Sequence, residues 1–168
     1  VVEIADEIGI NPNWLMAVML FESSMNPQAK NRYSGATGLI QFMPSTAYGL
    51  GTTVEELYNM DGIEQLDYVR KYFSPWKNKI KSLTDCYLVV FYPSAVGKSD
   101  NYILGDTIAR QELIAEQNAG LDTDKNKQIT KKEVTNFFSN FCRRYGYNED
   151  VHDSEDYTTP KKKIFGIF

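Results

Sequence analysis

The chain has 168 residues, of which 42% are hydrophobic and 13% aromatic, and its formal net charge is −4 at pH 7. This length and composition are those of one globular domain with, at most, a small appendage. The negative charge, without a concentration of basic residues, excludes nucleic acid as an expected partner. The longest uncharged apolar stretch, residues 14–21, is too short to span a membrane.

The chain starts with Val1 inside a helix-like pattern and shows no signal peptide, so we expect a processed form or a domain of a longer protein. Cys86 and Cys142 lie in apolar helical patterns, which favours two buried thiols over a disulfide. The single histidine, His152, lies in an acidic stretch. Ser-His-Asp catalysis and histidine-rich metal sites are therefore not expected.

In chain order, the pattern predicts a helix over residues 1–10 and a second that starts at Asn11-Pro12 and runs to about residue 24. The second helix is apolar on nearly every side, so we expect it at the centre of the fold. Further helices are predicted at Pro44, after Thr53 (a capping-box pair with Glu56), and over residues 63–73, 83–92, 106–118 and 134–141.

Glu22 ends the apolar run of the second helix. A carboxyl group at the mouth of an apolar helix is poorly solvated, so its pKa is expected to rise. A carboxyl with a raised pKa can protonate a leaving oxygen near neutral pH. Taken alone, the residue also fits a glutamate at an exposed helix end.

Residues 23–54 contain no Asp or Glu. Gly35 and Gly38 allow tight turns there, and Gln41 offers both hydrogen-bond donors and acceptors. Flat or adaptable apolar side chains come from Tyr33, Phe42 and Met43. Such a mixture of polar and apolar side chains suits binding of a neutral sugar polymer better than binding of a charged ligand. The alternative is that the segment is only a glycine-rich loop packed under a helix.

Two linked motifs carry a family resemblance: Glu22-Ser23 with Asn26-Pro27, and Gly-Leu-Ile-Gln-Phe-Met-Pro at residues 38–44. Their order and separation resemble the catalytic core of lytic transglycosylases, which have a goose-type-lysozyme-like fold and cleave peptidoglycan strands. The resemblance covers about residues 1–110, and the variant looks similar to phage tail-associated members. It implies a lysozyme-like, all-α fold (helical α+β at most). We expect an EF-hand-like C-terminal segment in addition, on the residues given below.

The third element of that family, an Ala-Tyr-Asn triplet followed by glycine, is matched in part by residues 91–94, Phe-Tyr-Pro-Ser, with Gly97. The resemblance implies that Tyr92 orients Glu22 or the muramoyl sugar, and an aromatic residue of the core is the alternative. It also implies sugar or loop hydrogen bonds from Ser23 and Gln41. The remaining candidate substrate-binding residues are Tyr33 and Met43.

Residues 122–133 follow the twelve-residue calcium loop of an EF-hand. Lys127 stands where glycine normally makes the sharp turn, at a cost on the order of 1 kcal/mol. We expect a structural Ca²⁺ that clamps the following helix onto the core, with an Asp/Asn-rich solvated turn as the alternative. The candidate ligands are Asp122, Asp124, Asn126, the Gln128 carbonyl and Glu133.

These patterns divide the chain into a catalytic core over residues 1–115, an EF-hand-like loop and helix over residues 116–147, and a tail or linker over residues 148–168. The tail is acidic at first and ends in a lysine run and an apolar segment. It is interpreted as a packed terminus or a link to a further domain.

Glycoside hydrolysis usually uses two carboxylates, and no second one follows Glu22 closely. The resemblance therefore implies lytic transglycosylation: Glu22 protonates the oxygen between N-acetylmuramic acid and N-acetylglucosamine, and a 1,6-anhydromuramoyl end forms without a cofactor. A single-carboxylate inverting muramidase and a non-catalytic glycan-binding or phage tail module are the alternatives. The expected partner is peptidoglycan, and the expected location is the cell envelope, the periplasm, the exterior or a phage virion.

Overall fold

The computed structural model describes residues 1–147, so the predictions for His152 and for the tail over residues 148–168 lie outside the described residues. The described part forms two compact units, residues 1–78 and residues 79–147. It is mostly helical, and its β-structure consists of isolated bridges. The all-α prediction is confirmed, and the predicted division at residue 115 stays a prediction.

The first unit is built from short helices around one apolar helix. Its helices are α1 (Val2–Ile8), α2 (Pro12–Ser23), α3 (Pro44–Gly49), α4 (Val54–Asn59) and α5 (Gly62–Phe73), followed by a 3₁₀ turn (Ser74–Trp76). The α2 helix packs against α1, and its Leu15, Ala17, Val18 and Met19 side chains are fully inaccessible to solvent. This helix is therefore the core element that the sequence predicts.

Local capping chemistry sets where these helices begin. The Asn11 side chain accepts a hydrogen bond from the backbone N–H of Asn13 at the start of α2. The predicted capping box of Thr53 and Glu56 opens α4, and Asp61 forms a second box at the start of α5. The α2 helix ends at Ser23 because the next two residues adopt left-handed backbone angles.

The second unit contains α6 (Leu83–Phe91), a 3₁₀ turn (Pro93–Ala95), α7 (Ile108–Gln117) and α8 (Lys131–Arg144). The α6 helix packs on α8, and the Tyr87 and Phe138 rings stack with centroids 4.3 Å apart. Cys86 and Cys142 are buried and are not joined in a disulfide, as the sequence favours. Within residues 1–147, no helix combines the length and the apolar character needed to cross a bilayer.

Candidate active site

Glu22 occupies the last turn of α2 and is half-buried. Burial raises the pKa of its carboxyl group from 4.5 to about 7. The cause is the one that the apolar helix predicts, since the surrounding side chains withhold water from the charged form. A carboxyl with this pKa is protonated in a large fraction of molecules at neutral pH, so it is able to act as a general acid.

Ser23, next to Glu22, joins α2 to the loop over residues 38–43. Its side chain is buried, and its hydroxyl oxygen lies 2.9 Å from the Met19 carbonyl oxygen and 3.0 Å from that of Leu39. The single hydroxyl hydrogen is thus shared between two main-chain acceptors. The structure shows a link between the two motifs, and the contact of Ser23 with sugar stays a prediction.

Gln41 holds the same loop in a tight turn. Its backbone is left-handed, with φ at 52°, and its N–H donates to the Gly38 carbonyl. The side-chain nitrogen donates to the carbonyls of Gly38 and Ala29 at 3.1 and 3.2 Å. The amide oxygen of Gln41 is therefore the side-chain atom that would contact a sugar. This contact also stays a prediction.

Tyr33 and Met43 offer apolar surface at the edges of this loop. The Tyr33 side chain is fully exposed, and Asn31 shapes its turn by accepting hydrogen bonds from the N–H groups of Tyr33 and Ser34. Met43 precedes α3 and is 45% exposed. An exposed ring and a polarizable thioether are groups that can pack on the faces of sugar rings.

Tyr72 is a residue near Glu22 that the sequence analysis missed. It lies on α5, and its half-buried ring meets Phe42 edge-on with centroids 6.2 Å apart. Burial, and then the negative charge of Glu22, raise the pKa of its hydroxyl. The sequence feature that could have indicated Tyr72 is a tyrosine on the apolar face of a helix. The hydroxyl group of such a tyrosine needs a polar partner.

Tyr92 lies in the second unit, immediately after α6. It ends the helix with an extended backbone, at φ −152°, and its side chain is half-buried. Its predicted role beside Glu22 or the muramoyl sugar stays a prediction.

The predicted calcium loop brings its carboxylates together. One carboxylate oxygen from each of Asp122, Asp124 and Glu133 lies within 4.8 Å of the others. The Asp122 carboxylate accepts hydrogen bonds from the N–H groups of Asn126 and Lys127, which wraps the loop around it. Lys127 has the left-handed backbone, at φ 64°, that glycine would adopt at lower cost.

Glu133 closes the loop from the first turn of α8. Burial works to raise the pKa of its carboxyl, yet hydrogen bonds from Thr130 and Thr123 outweigh burial and hold that pKa below its usual value. The group is therefore ionised at neutral pH, as a metal ligand has to be.

Residues 2–81 match the protein family described as the transglycosylase SLT domain. These residues belong to the lytic transglycosylase family. The SLT domain contains Glu22, the run over residues 38–44 and Tyr72, and it implies peptidoglycan as the substrate and the cell wall as the place of action. Neither the search of curated proteins nor the search of solved structures finds a match to the chain.

Proposed function

We propose that the protein is a peptidoglycan lytic transglycosylase that cleaves the β-1,4 bond between N-acetylmuramic acid and N-acetylglucosamine, with Glu22 as its one catalytic carboxyl. The observation that carries this proposal is the burial of Glu22 at the end of α2, which raises its pKa to about 7. A carboxyl of this kind can deliver a proton near neutral pH and accept one afterwards.

The reaction needs two proton transfers and no water. The Glu22 carboxyl gives its proton to the glycosidic oxygen, the bond from that oxygen to the muramoyl anomeric carbon breaks, and positive charge develops on the carbon. The Glu22 carboxylate then takes the proton of the muramoyl 6-hydroxyl while that oxygen bonds to the anomeric carbon. Because residues 23–54 contain no Asp or Glu, no second carboxylate follows closely to serve as nucleophile or general base.

Other residues of the SLT domain would support these steps. The raised pKa of Tyr72 keeps its hydroxyl protonated, so it would serve as a donor toward the Glu22 carboxylate after the first transfer. The exposed side chains of Tyr33 and Met43 would pack on sugar rings. Hydrogen bonds with the acetamido groups would involve Gln41 and Ser23. Outside the SLT domain, Tyr92 would orient the muramoyl sugar.

Digestion of purified peptidoglycan by the wild type and by Glu22→Gln tests this function, with mass spectrometry of the released muropeptides. We expect wild-type products lighter by one water than the reducing-end products, and none from Glu22→Gln, which keeps the shape but has no acidic proton to give. Glu55→Gln, an exposed carboxyl change on α4, is the matched control. Ordinary reducing ends would instead indicate a muramidase, and binding without release a glycan-binding module.

We also propose that residues 122–133 bind Ca²⁺ in a structural role, without a part in the chemistry. The proposal rests on the type of ligand atom, because hard cations such as Ca²⁺ prefer oxygen ligands. The three clustered carboxylates supply such oxygens, and Asn126 and the Gln128 carbonyl of the same loop would supply two more. No catalytic cofactor is proposed. The protein would act on the wall from the periplasm, the cell exterior or a phage virion, as part of a larger cell-wall or phage tail protein.

Thermal unfolding of chelator-treated protein, with and without added Ca²⁺, tests the metal proposal. We expect Ca²⁺ to raise the midpoint by an amount that grows with its concentration, because it binds only the folded state. Asp122→Asn should lose most of this shift, whereas Glu112→Gln, an exposed change on α7, should keep it. An equal midpoint with and without Ca²⁺ would overturn the proposal.

A further inference from the structure

Gln65 is a fully buried polar residue in the first turn of α5. Its amide oxygen accepts a hydrogen bond of 2.8 Å from the backbone N–H of Leu39. Its amide nitrogen donates to the carbonyl oxygens of Pro27 and Leu57, each at 2.7 Å. One side chain thus binds main-chain groups of three separate segments: the loop after α2, the loop before α3, and α4.

These bonds are necessary because the loop groups lack regular secondary structure. Buried main-chain N–H and carbonyl groups need partners, and a helix or sheet normally provides them. Here the Leu39 N–H and the Pro27 carbonyl lie outside any helix and take their partner from Gln65. Both amide hydrogens of Gln65 are used, so an apolar residue of the same size would leave three main-chain groups without this partner.

The main chain of Leu39 connects Gln65 to the residue that follows Glu22. Its N–H group is held by Gln65, and the carbonyl group of Leu39 accepts the hydroxyl hydrogen of Ser23, the residue that follows Glu22. The Pro27 carbonyl lies on the segment that leaves α2. The end of α2 is therefore tied to Gln65 both through the chain that follows Glu22 and through the Leu39 loop.

Gly38 leaves room for the Gln65 amide because it has no side chain. A Cβ atom at this position would overlap the Gln65 amide oxygen, far inside van der Waals contact. The backbone of Gly38 is also left-handed, with φ at 86°. Glycine in the motif thus makes room for Gln65, in addition to allowing the turn.

We propose that Gln65 is a positioning residue for Glu22, which fixes the loop over residues 38–41 against the end of α2 and so holds the catalytic carboxyl in place and shielded from water. This inference rests on the proposed function for its effect on turnover. Its effect on the carboxyl itself is measurable without any reaction.

The experiment compares Gln65→Leu with the wild type by two measurements. The first is the titration of the Glu22 carboxyl by nuclear magnetic resonance, and the second is turnover on soluble uncrosslinked glycan strands. We expect the Glu22 pKa to fall from about 7 toward 4.5, because a loosened loop admits water. We expect turnover to fall about 100-fold, as for other misplaced catalytic groups, with glycan binding changed far less.

Val69→Ala is the matched control, since Val69 is a fully buried apolar residue one turn further along α5. It should lower the stability of the fold while leaving the Glu22 pKa and the turnover of folded protein unchanged. If Gln65→Leu behaves in the same way as Val69→Ala, Gln65 is only structural and the proposal is overturned. If the carboxyl titration shifts although wild-type protein cleaves no glycan, the positioning role stands and the proposed function fails.

Gln65→Glu gives a second test if the leucine variant does not fold. An ionised carboxylate can accept from Leu39 but faces the carbonyls of Pro27 and Leu57 without a donor. Protonation restores one donor, so turnover relative to the wild type at the same pH should rise as the pH is lowered. A ratio that stays constant with pH in folded protein would overturn the proposal.

Discussion

The ammonium group of Lys131 lies 2.7 Å from a carboxylate oxygen of Asp85, and the two side chains are only 8% and 3% exposed. The Asp85 carboxylate also accepts hydrogen bonds from the N–H groups of Lys81 and Gly97, and Lys131 donates to the Lys98 carbonyl. This ion pair joins the start of α8, which ends the predicted calcium loop, to α6, and the hydrogen bonds of Gly97 and Lys98 attach it to the chain that follows Tyr92. It therefore fixes the loop and that segment to one another within the second unit.

Replacing Lys131 with methionine should destabilise the fold strongly. The change leaves the buried Asp85 carboxylate without its counter-charge, and losing one partner of a buried pair typically costs about 3–5 kcal/mol. The free energy of unfolding in urea measures this loss. Lys132→Met, at the exposed neighbouring position on α8, should change it by no more than about 0.5 kcal/mol. Equal losses in both variants would show that the ion pair contributes little.

The raised pKa of Glu22 should make the wild type less stable at alkaline pH. The unfolded carboxyl ionises near 4.5 and the folded one near 7, so the contribution to stability is complete below pH 4.5 and is lost as the pH rises to 7 and above. Glu22→Gln has no group to ionise. Its unfolding free energy should match the wild type near pH 4 and exceed it by at most about 3 kcal/mol at pH 8. A difference independent of pH would contradict the assigned burial.

Tyr72 should report the charge of Glu22. Burial and the Glu22 charge both raise the pKa of the Tyr72 hydroxyl, and only burial remains in Glu22→Gln. The ultraviolet titration of tyrosinate should therefore show one tyrosine with a lower pKa in that variant than in the wild type. Tyr72→Phe, which removes the group, should abolish the difference between the two curves. A difference that survives Tyr72→Phe would assign the effect to another tyrosine.

Helix starts could be predicted from the sequence because they depend on residues close together in the chain. The capping pair Thr53 and Glu56 is three residues apart, and the cap at Asn11 acts within its own turn. Glu22 could likewise be singled out, because the apolar helix that buries it precedes it directly. Its raised pKa follows from that local context.

The parts that sequence reasoning missed depend on contacts made by the folded chain. Gln65 binds Leu39 across 26 positions, and in the sequence it is only one polar residue on a helix. Tyr72 approaches Glu22 from α5, a helix that starts about forty residues later. For Ser23 the sequence leaves open whether its hydroxyl bonds the sugar or the loop, and no local pattern indicates the Leu39 carbonyl as the partner that it meets. The pairing of distant segments decides these roles.

Replacing Lys127 should tighten calcium binding, if the loop binds as proposed. A left-handed backbone costs a non-glycine residue on the order of 1 kcal/mol, and glycine removes that cost. Lys127→Gly should therefore bind Ca²⁺ about fivefold more tightly than Lys127→Ala, as measured by calorimetry. The alanine variant is the control because it removes the same positive charge and keeps the strained backbone. Equal affinities would show that the backbone at this position does not limit binding.

Gly38 and Gly51 allow the clash with Gln65 to be separated from backbone strain. Both glycines have similar left-handed angles, at φ 86° and 80°, but a Cβ at Gly51 would meet no atom within 4 Å. Gly51→Ala should cost about 1 kcal/mol of unfolding free energy from the backbone alone. Gly38→Ala should cost about 1–3 kcal/mol more, because the new methyl overlaps the Gln65 amide.

The double variant decides whether Gln65 causes that excess. In a Gln65→Ala background the amide is absent, so Gly38→Ala should cost no more than Gly51→Ala does, and urea unfolding of the four combinations measures the coupling. An excess that persists without the amide would place the steric conflict elsewhere in the loop. If Gly38→Ala costs less unfolding free energy in the Gln65→Ala background than in the wild type, the glycine of the motif and the buried glutamine fit each other.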